Sequence, residues 1–343
     1  MKRNAINIAA GIIIGGFFLW LSVRRIDLSE LWMHIGEMSY GWLIPFSVVL
    51  FLSYLFRALR WGLLMEHEGR YVSKRTLMAG VMFGHVVNYG VPRLGEISRS
   101  MLVAQSQKTS NSTILGTVVL ERVIDLLVIA GMMFLVIVFI VADRQTFRNL
   151  FGEQAIDLLD DAMQPLVIIG ILIALVIMFF LIWKLFSYIF ERKKQNDAEG
   201  KESSTLFRII HSFTDGLAAI RHLRRWPLFL TYTMLLWLCY LMMSYIPFYA
   251  FGMVEAYDLG IISAFAVMTI STIGVILPSP GAVGTYHWFV KHSLVVLYAV
   301  PAVNGLAFAF VTHAAVMFFT LLMTPVVVLM HYLRSAEEES EKS

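Results

Sequence analysis

Residues 88–99 read NYGVPRLGEISR, and this stretch decides the fold because it interrupts an otherwise apolar segment of the chain. It places a helix-breaking proline, Pro92, and a glycine, Gly95, among charged residues. A second interruption, LPSPGAVG at residues 277–284, has two prolines and two glycines: Pro278, Pro280, Gly281 and Gly284. The sequence therefore predicts two helix breaks at membrane depth, where the freed backbone groups are buried in protein or line a wet cavity.

The overall composition indicates a membrane protein. The chain has 343 residues, of which 58% are hydrophobic and 15% charged, whereas a soluble protein is about one-quarter charged. Apolar runs long enough to span a bilayer lie at about 5–23, 42–64, 114–141, 165–183, 227–251 and 303–331. We therefore predict an all-α polytopic integral membrane protein with about six full spanning helices and two broken hairpins. No polar stretch approaches domain size, so we expect no soluble domain.

Basic residues set the orientation of the spans, because cytoplasmic loops are enriched in lysine and arginine. Residues 184–226 carry nine of them and are predicted to be cytoplasmic, whereas residues 142–164 are mainly acidic and are predicted to be an external loop. Both termini are then cytoplasmic, in a plasma membrane of bacterial or archaeal type. Residues 332–343 are predicted to form an acidic cytoplasmic tail, of which residues 334–343 are expected to be disordered. Arg24 and Arg25, on the predicted outer side, fit this orientation poorly.

The two breaks predict an inverted repeat. If each broken segment leaves the membrane on the side it entered, residues 1–141 and 165–331 contain the same four elements in opposite orientation. The re-entrant hairpins then lie at about 77–105 and 261–300. Inverted repeats with paired broken segments are typical of transporters, whose substrate sites lie at the breaks near the midplane. The alternative, in which each broken segment crosses twice, fits the charges equally well.

Two further features are interpreted as contacts near the membrane surface. The segment at about 204–225 has an apolar helical face and ends in arginines, which is typical of an interfacial helix against an anionic leaflet. A helix packed on the protein's own cytoplasmic side is the alternative. Arg57 and Arg60, near the end of the second run, are interpreted as snorkelling side chains, with Trp61 as an interface anchor.

Ionisable residues inside apolar segments are costly, and they are therefore the candidate substrate-binding residues. Arg93, Glu96 and Arg99 are three apart, so a helix resuming after the proline predicts them on one side. A guanidinium group there can donate two parallel hydrogen bonds to the phosphate or carboxylate of an anionic headgroup. The motif LERVIDLL, residues 120–127, adds three more ionisable residues: Glu121, Arg122 and Asp125. We predict one shared network that binds substrate; the alternative is a network of structural salt bridges.

The second break predicts a different kind of contact. A helix restarting near Gly284 has an electropositive N-terminus suited to an anionic group. His287 in its first turn is a candidate for a headgroup contact or a proton site, although a hydrogen-bonded core histidine is the more common case. A metal site could form from three histidines only if the fold brought them together, which the sequence does not indicate: His85, His287 and His313. We therefore predict no metal and no cofactor.

Small-residue spacings predict close helix packing. GxxxG patterns occur at Gly11–Gly15 and at Gly80–Gly84, and this spacing lets two helix backbones approach each other. Motifs of zinc proteases, serine hydrolases and phosphate-binding loops do not occur in the sequence, which favours a protein that is not an enzyme.

Several motifs resemble the lysylphosphatidylglycerol synthase transmembrane-region family: NYGVPRLGEISRSMLV, LERVIDLL, LPSPGAVGTYHWFV and RALRW. The resemblance covers nearly the whole chain, and the pattern P-R-x-G-E-x-x-R at residues 92–99 is its most specific piece. It implies a flippase-like protein that moves an anionic lipid or polyprenyl-linked species between leaflets, as a stand-alone member without the soluble synthase domain. Many members carry a glutamate where this chain has His287.

The sequence is also compatible with two other functions. One is a membrane-embedded enzyme acting on lipid-linked substrates, with the same carboxylates and His287 as acid and base. The other is a non-transporting accessory subunit of envelope biogenesis. The expected partners are membrane lipids with an anionic headgroup and not nucleic acid, while a homo-oligomer or an envelope-biogenesis partner is left open.

Overall fold

The computed structural model describes residues 2–66, 71–107, 109–143 and 223–340, together with scattered positions between 148 and 184. Every regular element in these ranges is a helix, and several helices are long and apolar enough to cross a membrane. The predicted all-α polytopic membrane class is therefore confirmed. The chain divides into two compact units, one formed by Met1–Asn111 and His222–Ser343 and the other by Ser112–Arg221.

The described helices are named in chain order. They are α1 (Lys2–Val23), α2 (Leu28–Glu37), α3 (Leu43–Met65), α4 (Lys74–Gly90), α5 (Leu94–Ser106), α6 (Asn111–Ala142), α7 (Trp226–Ala250), α8 (Met253–Tyr257), α9 (Ile261–Ile276), α10 (Thr285–Tyr298) and α11 (Ala302–Ser340). Among them α6 belongs to the second unit and the others to the first.

The long helices coincide with the predicted apolar runs. Helices α3, α6, α7 and α11 are each long and apolar enough to span a bilayer, and α1 occupies the first run. The run 165–183, the loop 142–164 and the amphipathic segment 204–225 lie largely outside the described residues. The count of spans and the inverted repeat thus stay predictions.

Each broken region forms a helical hairpin. In the first, α4 and α5 pack against each other on either side of Val91, Pro92 and Arg93; in the second, α9 and α10 flank residues 277–284. The four arms have 17, 13, 16 and 14 residues, or about 20–26 Å of helix at 1.5 Å per residue. A hydrocarbon core is about 30 Å thick, so these arm lengths favour re-entry over two full crossings.

The C-terminal end differs from the prediction. Helix α11 continues to Ser340, so the expectation of disorder over residues 334–343 is wrong for most of that segment. Alanine and glutamate are strong helix formers, and the AEEE sequence at residues 336–339 extends the helix beyond its apolar part.

One apolar cluster of the first unit lies around the second hairpin. Phe248 of α7, Val267 of α9, Val290 of α10 and Phe308 of α11 are all buried in it. The rings of Phe248 and Phe308 pack with centroids 5.2 Å apart. This cluster fixes the arms of the second hairpin against α7 and α11 and thereby positions its tip.

Candidate functional site

The tip of the first hairpin is closed by Asn88, which is not among the site residues predicted from the sequence. The Asn88 side-chain oxygen accepts a hydrogen bond from the Gly95 amide at 2.8 Å, and its amide donates to the Glu96 carboxylate at 3.4 Å. Between them Arg93 takes the left-handed conformation with φ 66°, which costs a non-glycine residue about 1–2 kcal/mol. One side chain thus holds the end of α4 to the start of α5.

Glycine–glycine contact sets the spacing of the two arms. A β-carbon at Gly84 would lie 2.8 Å from the Gly95 carbonyl oxygen, and one at Gly95 would collide with the Gly84 carbonyl. One at Gly80 would lie 3.2 Å from Val103. The predicted GxxxG packing at Gly80–Gly84 is therefore confirmed within the hairpin. Gly95, predicted as part of the break, lies instead in the first turn of α5.

The three charged residues predicted as site residues in the first hairpin occupy three different environments. Arg93 at the tip is exposed, Glu96 is half-buried, and Arg99 is only 3% exposed. The Arg99 guanidinium lies over the Trp61 ring at 4.8 Å from its centroid, a cation–π geometry. The expectation that all three point to one side is wrong, because Arg99 turns toward α3 while Arg93 lies outside the helix.

The two arginines of α3 are buried in protein. Arg57 is 5% exposed and donates to the Tyr240 hydroxyl at 2.8 Å, and Arg60 lies 6.0 Å from the ring centroid of Phe229. Trp61 is fully buried. The snorkelling and interface-anchor interpretations are wrong here because α7 and the first hairpin enclose this end of α3.

The tip of the second hairpin is held by hydroxyl groups. The Thr285 hydroxyl donates to the Gly274 carbonyl at 2.7 Å and lies 2.8 Å from the Ser279 hydroxyl, so it ties the returning arm to the incoming one. Gly281 and Gly284 have φ values of 56° and 83°, which favour glycine. Pro278 and Pro280 lie in the same connecting segment, between the end of α9 and the start of α10.

His287 belongs to an aromatic pair beside this tip. It is buried, and its Nδ1 accepts a hydrogen bond from the Gly284 amide at 3.1 Å. Its ring lies 4.9 Å from that of His313 and 4.3 Å from that of Phe310, both on α11. The ring of His85 lies 4.9 Å from that of Tyr54. No group of three or more side chains with metal-ligand spacing occurs in the described part of the chain.

The tips of the two hairpins meet beside the middle of α1. A β-carbon at Gly11 would lie 2.9 Å from the Pro278 carbonyl oxygen and 3.6 Å from carbons of both Pro280 and Pro92. One at Gly281 would lie 3.4 Å from a ring carbon of Tyr89. The glycines of the first GxxxG pattern therefore let α1 approach both breaks closely.

Helix α11 shows that the hairpins approach each other end to end. Its N-terminal half contacts α10, its middle contacts the second tip, and its C-terminal part contacts the start of α4. The pairs, in order along α11, are Gly305 with Lys291, Thr312 with Tyr286, His313 with His287, Met317 with Gly281, and His331 with Thr76. These contacts extend over about 39 Å of helix, so the two hairpins lie on successive stretches of α11.

The second set of predicted charges lies in the other unit. Glu121, Arg122 and Asp125 are residues of α6, in which Glu121 and Asp125 are buried. The first hairpin belongs to the first unit. A network joining these residues to Arg93, Glu96 or Arg99 stays a prediction.

Together the spans and the two broken hairpins that meet tip to tip define an all-helical polytopic membrane protein. The chain belongs to the family described as the lysylphosphatidylglycerol synthase TM region, whose model matches residues 8–323. That range includes both hairpins, and membership associates the chain with a lipid-related function in the membrane. None of the curated proteins matches the chain.

Proposed function

We propose that this protein moves an anionic lipid or polyprenyl-linked species between the leaflets of a plasma membrane, and that it is not an enzyme. The observation that carries the proposal is the meeting of Pro92 and Tyr89 with the second break beside Gly11. Paired helix breaks that meet inside a membrane protein are typical of the substrate sites of transporters.

Arg93 is the side chain that we assign to the headgroup. It is exposed at the tip, and the described residues give it neither a hydrogen bond nor an ion pair. Its left-handed backbone, φ 66°, is held by the Asn88 bridge, and such strain is concentrated at functional sites. A guanidinium group forms two parallel hydrogen bonds with a phosphate, which suits an anionic headgroup.

In the mechanism we propose, the headgroup follows a polar path past the hairpin tips while the acyl chains stay in lipid. Glu96 holds the tip through Asn88, and its carboxylate is a candidate proton carrier together with Glu121, Asp125 and His287. Transport is then driven by the lipid gradient or by an ion. Within α6, Arg122 is proposed as a partner for the carboxylates of Glu121 and Asp125.

The test is reconstitution into sealed vesicles with headgroup-labelled phosphatidylglycerol. We expect Arg93→Ala and Glu96→Gln to slow transbilayer movement by at least about tenfold, the equivalent of one lost charged hydrogen bond of about 1.5–3 kcal/mol. The matched control is Arg334→Ala, which removes an exposed arginine at the far end of α11 and should leave the rate unchanged.

Equal rates in wild type and both hairpin variants, above those of empty vesicles, would contradict the proposed site. Chemical turnover of the labelled lipid in detergent, where no leaflets exist, would favour the membrane-embedded enzyme instead. Absence of movement for wild type, with full complementation of an envelope phenotype by both hairpin variants, would favour an accessory subunit.

A further inference from the structure

Helix α2 has three distinct faces. It connects α1 to α3, and its first residue is capped by Asp27, whose carboxylate accepts a hydrogen bond from the Ser29 amide at 2.8 Å. One face packs on the protein: Leu31 is buried against Val303, Leu306 and Ala307 of α11. This contact fixes the rotation of α2 about its axis and decides which side chains face outward.

An apolar edge lies next to the packed face. Leu28 is 52% exposed and Trp32 is 69% exposed, and they are about 40° apart around the helix at 100° per residue. The opposite side is polar, with His34 3.8 Å from Glu30 and with Glu37 exposed. A short helix with an apolar edge that includes tryptophan and a charged opposite side is typical of a helix lying in the membrane interface.

The apolar edge continues the lipid-facing surface of the neighbouring spans. Phe17 and Trp20 of α1 are more than half exposed, as are Ile44 and Val48 of α3. Because α2 connects these two apolar helices, it lies where both leave the hydrocarbon core. Tryptophan and tyrosine are enriched at this depth of a bilayer, and the exposed Tyr40 follows α2 directly.

Two arginines lie at the turn that leads into α2, ahead of the acidic residues Asp27, Glu30 and Glu37 on its cap and polar side. Arg24 and Arg25 are both exposed, and the Arg24 guanidinium lies over the Trp20 ring at 5.0 Å from its centroid. Close by, the buried Lys291 ammonium donates to the Ser22 carbonyl at 2.7 Å. Cations near a membrane surface attract anionic lipids. Lipid binding therefore accounts for two arginines on the predicted outer side of the membrane, which the distribution of loop charges does not explain.

We propose that α2 is an interfacial helix that binds an anionic phospholipid surface: the Leu28–Trp32 edge inserts at headgroup depth, and Arg24 and Arg25 bind the lipid phosphates. This surface lies at the end of α1 toward which the second hairpin opens, because Lys291 of α10 reaches Ser22 there. The proposal is independent of lipid translocation, so a failure of either leaves the other standing.

The test uses single cysteines in a Cys239→Ala background, each labelled with a small fluorophore. In phosphatidylcholine vesicles, a label at Trp32→Cys should be quenched by lipids carrying a shallow nitroxide and protected from aqueous iodide. A label at Glu37→Cys on the polar side is the matched control and should show the reverse. Equal quenching by iodide at both positions would overturn the proposed insertion.

The charge part of the proposal has its own measurement. Spin-labelled phosphatidylglycerol should associate with the reconstituted protein more strongly than spin-labelled phosphatidylcholine. The double variant Arg24→Gln, Arg25→Gln should lower that preference by about fivefold for each arginine. Arg334→Gln, near the end of α11 that lies away from α2, controls for the loss of charge alone. An unchanged preference in the double variant, with an unchanged melting temperature, would overturn the role of the arginines.

Discussion

Two arginines of the first hairpin have the same chemistry and opposite surroundings. Arg93 is exposed at the tip, whereas Arg99 is buried over Trp61 and beside Gly84, where a β-carbon would lie 3.2 Å from it. A buried arginine contributes through the packing of its stem as well as through its charge. The structure thus separates a residue available to a ligand from one that joins α5 to α3.

This difference predicts a large effect on stability for one alanine variant and little effect for the other. We expect Arg99→Ala to lower the free energy of unfolding by about 2 kcal/mol, because it removes the cation–π contact and leaves a gap beside Trp61. Arg93→Ala should leave stability within about 0.5 kcal/mol of wild type, as surface changes usually do. Thermal unfolding in detergent measures both. A large loss for Arg93→Ala would show that its charge is bound within the protein.

At this scale the sequence identifies candidates but not their environments. Arg57, Arg60 and Arg99 are indistinguishable from Arg93 by residue type and by position relative to an apolar run. Which of them is buried depends on the helices that pack against α3, and these come from distant parts of the chain. His313 is a further example of a residue whose environment the sequence does not reveal. It becomes a candidate for the second hairpin only because α11 places its ring beside that of His287.

Among the helices, the first hairpin depends on the absence of side chains at its crossing point. A β-carbon at Gly84 would lie 2.8 Å from the Gly95 carbonyl oxygen, a backbone atom and closer than real β-carbons approach, so something must shift. We expect Gly84→Ala to force the arms apart and to lower the free energy of unfolding by about 1–3 kcal/mol, the usual cost of overpacking.

The matched control is Gly90→Ala in the same helix. A β-carbon at Gly90 meets nothing within 4 Å, so this variant should be neutral or slightly stabilising because alanine is the better helix former. Circular dichroism melts of the two proteins in one detergent give the comparison. Equal melting temperatures would contradict the close approach of α4 and α5.

The cap of α2 predicts a pH dependence confined to that helix. The Ser29 hydroxyl and amide both donate to Asp27, and these hydrogen bonds hold the pKa of the carboxyl below its usual value. A lowered pKa means that the ionised carboxylate stabilises the folded helix. This contribution is complete above the ordinary aspartate pKa of about 4 and is lost as the pH falls below it through the lowered folded-state pKa.

We therefore expect amide hydrogen exchange in Leu31–Glu37 to accelerate below about pH 4, relative to the amides of α3 and after correction for intrinsic rates. Asp27→Asn should remove this step, because asparagine caps a helix equally well and does not titrate. A step of the same size in the variant would show that the effect does not come from Asp27.

Element boundaries were predictable where composition changes sharply. The arms of both hairpins lie within three residues of the predicted limits, because proline and glycine interrupt otherwise apolar sequence. Helix α2 was missed, although Asp27 followed by Glu30 is a helix-start signal. The helical tail was missed because a charged terminal segment is typical of disorder, whereas here it continues a long helix.

For the whole molecule, the breaks and the charges predicted two hairpins, but not that α1 and α11 would align them. The alignment depends on close backbone contacts at Gly11 and Gly15 and on a sequence of contacts along α11. Such contacts join residues up to 269 positions apart, as between Lys291 and Ser22. Local patterns carry no information about pairings at this separation, so the tip-to-tip meeting required the structure.

The orientation of the hairpins leads to a test of the whole topology. Arm lengths of about 20–26 Å favour a first hairpin that enters and leaves on one side. In a Cys239→Ala background, Ser106→Cys, exposed at the end of α5, should react with a membrane-impermeant thiol reagent from the cytoplasmic side only. Arg93→Cys at the tip should react from the same side, but more slowly because it lies deeper. Reaction of Arg93→Cys from the external side only, with Ser106→Cys still cytoplasmic, would mean that α4 and α5 each cross the membrane and that the two hairpins are not re-entrant halves of an inverted repeat.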